Sequence, residues 1–152
     1  MHPLENIFWA SLTGPHAKYA TGTIDARRYA PGFSPIVGFP DFERPNFAAL
    51  RPFCEPGEHF YCDGWSGVAP DGWTIEAEST MFRMVWDAPA PLAEEALDAI
   101  PLGPEHAQQA FDLAMLTRPG PFGLRTPELG EYFGYFEDGR LIAMAGERMA
   151  AE

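Results

Sequence analysis

The stretch over residues 131–149, EYFGYFEDGRLIAMAGERM, decides the fold of this chain. Aromatic residues alternate along its first half, and an almost unbroken apolar run fills its second half. Asp138 and Gly139 stand between the two halves, and an Asp-Gly pair is typical of the type I′ turn that joins antiparallel strands. The stretch therefore predicts a β-hairpin with strands over residues 131–137 and 140–149.

The residues before the hairpin predict one strand and two helices. Residues 96–103 form an apolar run typical of a strand. A helix is predicted from Pro104, which suits a first turn, to a point before Pro119. Thr126 has the features of an N-cap that opens a second, short helix. The order from residue 96 onward is β-α-α-β-β, so the fold class is α+β with a mixed sheet.

Residues 1–90 are expected to form short elements in an irregular α/β segment, because proline and glycine frequently interrupt the apolar patterns. The spacing of apolar residues over residues 4–12 predicts a helix. The next thirty residues are expected to form loop pinned by aromatic side chains. A second short helix is expected between Pro45 and Pro52, and three short β-type runs fall between residues 58 and 86.

A domain boundary is predicted near residue 90. Residues 87–96 are rich in Ala, Pro and Glu, a composition typical of a linker. The chain is therefore divided into an N-terminal segment over residues 1–90 and a second unit over residues 91–152.

The composition excludes several classes of partner. The chain has 22 acidic and 10 basic residues and a net charge of -12, which repels nucleic acid and anionic lipid. No window has the roughly 20 continuous apolar residues of a membrane span. The first residues lack the basic region of an export signal. With two cysteines, a reduced, cytoplasmic protein is expected.

Cys54, His59 and Cys62 form a C-x4-H-x2-C cluster with Asp63 beside it. Thiolates and imidazoles are zinc ligands, but a structural zinc site normally has a second ligand pair of similar spacing, and none is present. In a strand, His59 and Cys62 would also point to opposite faces. We therefore expect no metal site.

Residues 118–125, RPGPFGLR, form a loop between the two predicted helices. One interpretation is that Arg118 and Arg125 clamp an anion while Phe122 walls a pocket. The other is that the loop is a rigid connection without a ligand. Glu147 also has two interpretations: a general base at the end of the inner strand, or a partner, with Arg148, in ion pairs at the end of the sheet.

Residues 116–149, LTRPGPFGLRTPELGEYFGYFEDGRLIAMAGERM, resemble the N-terminal portion of a GCN5-related N-acetyltransferase (GNAT), of the FR47-like branch. The resemblance implies transfer of an acetyl group from acetyl-CoA to a small-molecule amine. It implies that Arg118, Phe122, Arg125 and Tyr132 lie on the substrate side and that Glu147 is a catalytic candidate.

The chain departs from that family in one respect. The family's Gln/Arg-x-x-Gly-x-Gly/Ala loop, which holds the pyrophosphate of acetyl-CoA, is absent from all 152 residues. No cofactor-binding residue is therefore assigned, and this chain alone is expected to be inactive. Either it is the substrate-side part of an acetyltransferase, or it is a non-catalytic ligand-binding or protein-interaction module.

The apolar strand over residues 140–148 also predicts a partner. A strand without polar interruption is typical of one that is covered on both faces, and an apolar strand edge without Lys or Pro invites pairing. We expect the N-terminal segment, a second copy of the chain in a homodimer, or a C-terminal half to cover it.

Overall fold

The computed structural model describes residues 3–82, 84, 86–89 and 98–151. These residues form two small sheets and three α-helices, which confirms the predicted α+β class. The predicted linker and boundary near residue 90 lie largely outside the described residues. None of the helices described is long and apolar enough to cross a bilayer.

The first sheet contains four short strands, β1 (Ala20–Gly22), β2 (Arg27–Tyr29), β3 (Ile36–Gly38) and β4 (Tyr61–Cys62). β1, β2 and β3 are antiparallel neighbours, and β4 lies parallel to β3, so the sheet is mixed.

The prediction of a loop after the first helix is wrong, because this region contains β1, β2 and β3. Each has only three residues, which is too few to establish an alternating pattern. Of the β-type runs between residues 58 and 86, only the first forms a strand, β4, within the described residues. The last run includes two residues outside them.

Two helices cover the first sheet. A 3₁₀ turn (Pro3–Asn6) leads into α1 (Ile7–Thr13), as predicted, and α2 (Phe47–Leu50) confirms the second short helix. Asparagine side chains accept hydrogen bonds at the start of both helices, which caps them. Behind α1 lies a core of Phe8, Leu12, Tyr29, Phe33, Ile36 and Leu129. Because Leu129 belongs to it, this core joins the first sheet to the later part of the chain.

The second sheet has the order β5 (Ile100–Pro101), β6 (Tyr132–Glu137) and β7 (Arg140–Gly146), all antiparallel. Asp138 and Gly139 both have positive φ, of 50° and 76°, as the predicted type I′ turn requires.

α3 (Ala107–Thr117) follows a 3₁₀ turn (Pro104–His106) and packs on one face of this sheet. The helix predicted from Pro104 is thus confirmed. The helix predicted at Thr126 is a single 3₁₀ turn (Thr126–Leu129). Four residues are too few to show the repeated apolar spacing that distinguishes an α-helix in a sequence.

Within the described residues, α3 covers one face of β7, and the expectation that a second copy or a C-terminal half covers the rest of the strand stays a prediction. Leu141 is buried under α3, but Ile142 is 50% exposed, and Ala143 and Ala145 are exposed. β6 is its hydrogen-bonded neighbour, and the first sheet forms no ladder with it. The N-terminal segment therefore does not cover this edge in the described part of the chain.

Gln109 on α3 holds the start of β7. Its amide oxygen accepts a hydrogen bond of 2.8 Å from the backbone N–H of Leu141, and its amide nitrogen donates to the carbonyl of Gly139 at 3.4 Å. We expect Gln109→Ala to lower the free energy of unfolding by about 1 kcal/mol in urea titrations. Gln108→Ala removes only a bond within α3 and is the control. Equal effects of the two substitutions would contradict this role.

Candidate functional site

The loop over residues 118–125 is fixed against the first sheet. The backbone N–H of Arg125 donates to the carbonyl of Gly32 at 2.8 Å. The Ser34 hydroxyl lies 2.9 Å from the Thr126 hydroxyl and 3.1 Å from the Pro121 carbonyl oxygen. These bonds join residues about ninety positions apart, so the loop has one defined position relative to the first sheet.

Glycine permits this close approach. A Cβ atom added at Gly123 would lie 2.3 Å from the carbonyl oxygen of Gly32 and 2.4 Å from that of Phe33. Any larger residue at this position would therefore push the loop away from the first sheet. The structure supports a rigid loop, whether or not it also binds a ligand.

The two arginines of the loop have different surroundings. The guanidinium of Arg125 bonds to both carboxylate oxygens of Glu128 at 2.8 Å and lies 4.3 Å from the centre of the Phe33 ring. Arg118 is exposed at the end of α3, in a left-handed conformation with φ of 50°. Arg125 is thus already paired with a carboxylate, whereas Arg118 forms no ion pair with another described residue.

Phe122 and Tyr132 contact each other in the core beneath α3. Their ring centroids are 6.1 Å apart at an interplanar angle of 83°, and both side chains are buried. Burial raises the pKa of the Tyr132 phenol, and the charge of Arg148 opposes that rise. Direct contact with a substrate stays a prediction for both rings.

Glu147 and Arg148 follow the last residue of β7. Glu147 is exposed, and its backbone N–H donates to the carbonyl of Glu131 at 3.0 Å. Arg148 is half-buried, and its Nη1 donates to the carbonyl of Pro121 at 2.8 Å. Neither side chain forms an ion pair with another described residue, so the ion pairs proposed for the end of the sheet are not observed there. Arg148 instead brings the end of β7 to the loop.

A buried polar network lies beside these residues, and the sequence did not indicate it. Tyr29 Oη lies 2.7 Å from His16 Nδ1, and Ser11 Oγ lies 3.1 Å from both atoms. The ring of His16 also bonds to the carbonyl of Leu129. A neutral ring with its proton on Nε2 satisfies these contacts, because Nδ1 then accepts from the Tyr29 hydroxyl.

The environment of His16 favours that neutral form. Burial lowers the pKa of His16, while hydrogen bonding to the Leu129 carbonyl and the charge of Glu147 raise it by less. Burial also raises the pKa of Tyr29. The network therefore joins α1 to β2 of the first sheet without a buried charge. Its three residues belong to α1, a turn and β2, and no local motif relates them.

The three candidate ligands Cys54, His59 and Cys62, for which no metal site was expected, do not converge on one point. His59 is exposed and pairs with Glu76 at 2.8 Å, while Cys54 and Cys62 are free thiols that pack against the core around Phe47. Burial raises the pKa of Cys62 to about 12. Among the residues described, no group of three or more His, Cys, Asp or Glu side chains is placed to hold a metal ion.

A shallow hollow of about 260 Å³ lies between α3 and the start of β7. It is lined by Gln109, Asp112, Leu113, Leu116, Arg140 and Leu141. None of the residues predicted as a site from the sequence lies in this lining. The hollow is thus separate from the group formed by the loop, Tyr132 and Arg148.

Comparison with solved structures shows a clear similarity in fold. No protein-family model matches the chain, and no curated protein matches it. A crystal structure of a GNAT-family protein from Novosphingobium aromaticivorans, assigned as an acetyltransferase, matches with a TM-score of 0.67 and 25% identity. The match covers 100% of this chain and 67% of the other.

The chain has a GNAT-like fold. The similarity is not confined to residues 116–149, which carry the sequence resemblance, because it extends over the whole chain. Residues before the predicted boundary near residue 90 are therefore part of the shared architecture.

The glycine-containing loop over residues 118–125 does not fit the pyrophosphate of acetyl-CoA. Phosphate binding in such loops requires free backbone N–H groups, usually at the start of a helix. Here the N–H of Gly123 donates to the Thr126 hydroxyl, and that of Arg125 donates to Gly32. The loop leads only into a four-residue 3₁₀ turn. We therefore assign no cofactor contact to this chain.

Proposed function

We propose that this chain forms the amine-binding side of an acetyl-CoA-dependent N-acetyltransferase of the FR47-like branch. The observation that carries the proposal is the structural similarity to a GNAT-family protein over the full length of the chain. The meeting of the loop over residues 118–125 with the end of β7 supports it, because Arg148 and Pro121 bring together the two regions proposed for the substrate side.

The proposed residues have distinct roles. An amine must lose a proton to attack an acyl group, so the site needs a proton acceptor. Glu147 is the candidate, since it is exposed and the next residue, Arg148, bonds to the loop. Phe122 and Tyr132 fix the loop from below, Arg125 fixes it against Phe33, and Arg118 remains available to a substrate.

The cosubstrate requires residues beyond those assigned here. We propose that acetyl-CoA binds in the complete enzyme, which also covers the exposed edge of β7 through a C-terminal segment or a second copy of the chain. Two free cysteines support a reducing compartment such as the cytoplasm. The alternative, a non-catalytic binding or interaction module, is favoured by the absence of the pyrophosphate loop from the sequence.

The 152-residue chain is expected not to bind acetyl-CoA with micromolar affinity, because its sequence lacks the pyrophosphate loop and the N–H groups of Gly123 and Arg125 are already bonded. Calorimetric titration measures this directly. A one-to-one isotherm with a micromolar dissociation constant would show that a cofactor site exists among these residues.

The acetyltransferase proposal is tested with the reading frame extended past Glu152. The extended protein is expected to bind acetyl-CoA and to release CoA thiol when amines are added. Glu147→Gln should lower kcat by about a hundredfold if Glu147 is the base. Glu137→Gln, at the end of β6, is the control. A natural stop after Glu152, or an extended protein that never releases thiol, would favour the binding module.

A further inference from the structure

Arg148 is a half-buried arginine without a carboxylate partner. Its Nη1 donates to the carbonyl of Pro121, while its Nε is buried and has no hydrogen-bond partner among the described residues. The chain carries 22 acidic residues against 10 basic ones, so carboxylates are abundant. A guanidinium partly withdrawn from water is costly unless an anion compensates its charge.

The other arginines that lie close to a carboxylate are paired with it. Arg28 bonds to Glu58, Arg44 to Asp41 and Arg125 to Glu128, and the closest contacts measure 2.6–2.8 Å. Arg51, Arg118 and Arg140 have no ion pair among the described residues but are exposed, so water solvates them. Arg27 and Arg148 have neither full solvation nor a carboxylate: each is half-buried, donates through Nη1 to a backbone carbonyl and leaves Nε without a partner among the described residues. Of these two, Arg148 is the one that bonds to the loop over residues 118–125.

Two residues of the loop, Gly120 and Pro121, lie against the guanidinium of Arg148. Gly120 lies against the guanidinium: an added Cβ would be 3.4 Å from Nη1 and 3.7 Å from Nη2. Its φ of 128° also disfavours any side chain at this position. The charge of Arg148 lowers the pKa of both Tyr29 and Tyr132 against the effect of burial, so its field extends to both phenols.

We propose that Arg148 binds a carboxylate of the acceptor, so that the substrate is an amine that also carries a carboxylate, as in a free amino acid. Guanidinium pairs with carboxylate through charge-assisted hydrogen bonds, and its planar shape favours this geometry. This inference rests on the proposed function, because it places the substrate at the loop over residues 118–125. Arg148 thereby selects the substrate, and Glu147 remains the candidate for proton transfer.

The test compares acids with their amides. L-phenylalanine and L-leucine, each beside its carboxamide, are titrated into the ¹⁵N-labelled 152-residue protein and followed by chemical-shift changes. Each acid is expected to bind about tenfold or more tightly than its amide, with shifts that include Gly120 and Arg148. Arg148→Gln should remove this preference and Arg148→Lys should restore part of it. Arg140→Gln, at the exposed start of β7, should leave it unchanged.

The outcomes separate this inference from the proposed function. Equal affinities for acid and amide in the wild-type protein, no binding of either acid, or shifts confined to other residues would overturn the role of Arg148. These results come from the wild-type protein, so they do not depend on whether a variant folds. A preference for acids without any acetyl transfer by the extended protein would support Arg148 as a carboxylate-binding residue and refute the acetyltransferase.

Discussion

Replacing Phe122 with Ala is expected to lower the free energy of unfolding by about 3 kcal/mol. Phe122 is 8% exposed and packs in one cluster with Ala110, Ala114, Tyr132 and Leu141. Truncation removes the apolar contacts of the ring and leaves a cavity beneath α3, because the surrounding helix and strands relax only in part. Urea denaturation followed by circular dichroism measures the change.

Phe133 provides a matched control, because it lies on the face of the second sheet opposite to α3. Phe133 is 43% exposed, so Phe133→Ala is expected to change the unfolding free energy by less than about 1 kcal/mol. Equally small effects at both positions would show that Phe122 does not belong to the core as described.

The same residue bears on the proposed amine site. Phe122→Leu preserves most of the buried apolar volume and should leave a folded protein. If Phe122 acts only by holding the loop, the extended enzyme with leucine at this position should retain its KM for the amine. A raised KM in this stable variant would indicate direct contact between the ring and the substrate.

The sequence predicted the second sheet because its signals are local. The Asp138-Gly139 turn and the apolar spacing of α3 are each contained within one element, and both are confirmed. β1, β2 and β3 were missed because three residues cannot show a period. Their formation depends on pairing between neighbours and on the core behind α1.

The sequence located the loop of the candidate site but not its contacts. It left open whether Phe122 walls a pocket or belongs to a rigid connection. The ring is buried beneath α3, and its contact with a substrate stays a prediction. The hydrogen bond between Ser34 and Thr126 and the network around His16 join distant elements. Only tertiary packing creates such pairs, so no spacing in the sequence predicts them.

A second large effect is expected at Glu58. Its carboxylate bonds to Arg28 through both oxygens, at 2.6 and 2.7 Å, and the Arg28 side chain is only 5% exposed. Arg28 also donates to the carbonyls of Tyr29 and Phe53. The pair thus fastens the segment before β4 to β2.

We expect Glu58→Ala to lower the free energy of unfolding by about 3 kcal/mol, because it leaves the charge of Arg28 buried without a counterion. Glu58 itself is 27% exposed, so water entering the site limits the loss to the lower end of the range for buried pairs. Arg44→Ala removes the solvent-exposed pair with Asp41 and serves as the control, with no measurable change expected because the Arg44 side chain is 87% exposed. Similar losses for the two substitutions would refute the importance of burial.

The pH dependence of stability provides an independent check on the same pair. Hydrogen bonds from Arg28 lower the pKa of Glu58 below its ordinary value of 4.5. Because the folded pKa is the lower one, the stabilising contribution is complete above about pH 4.5 and is lost as the pH falls through the folded value. The difference in stability between the wild-type protein and Glu58→Gln should therefore be largest near neutral pH and shrink in acid. A difference that stays constant from pH 7 to the acid limit of folding would show that the ionised carboxylate is not what stabilises Arg28.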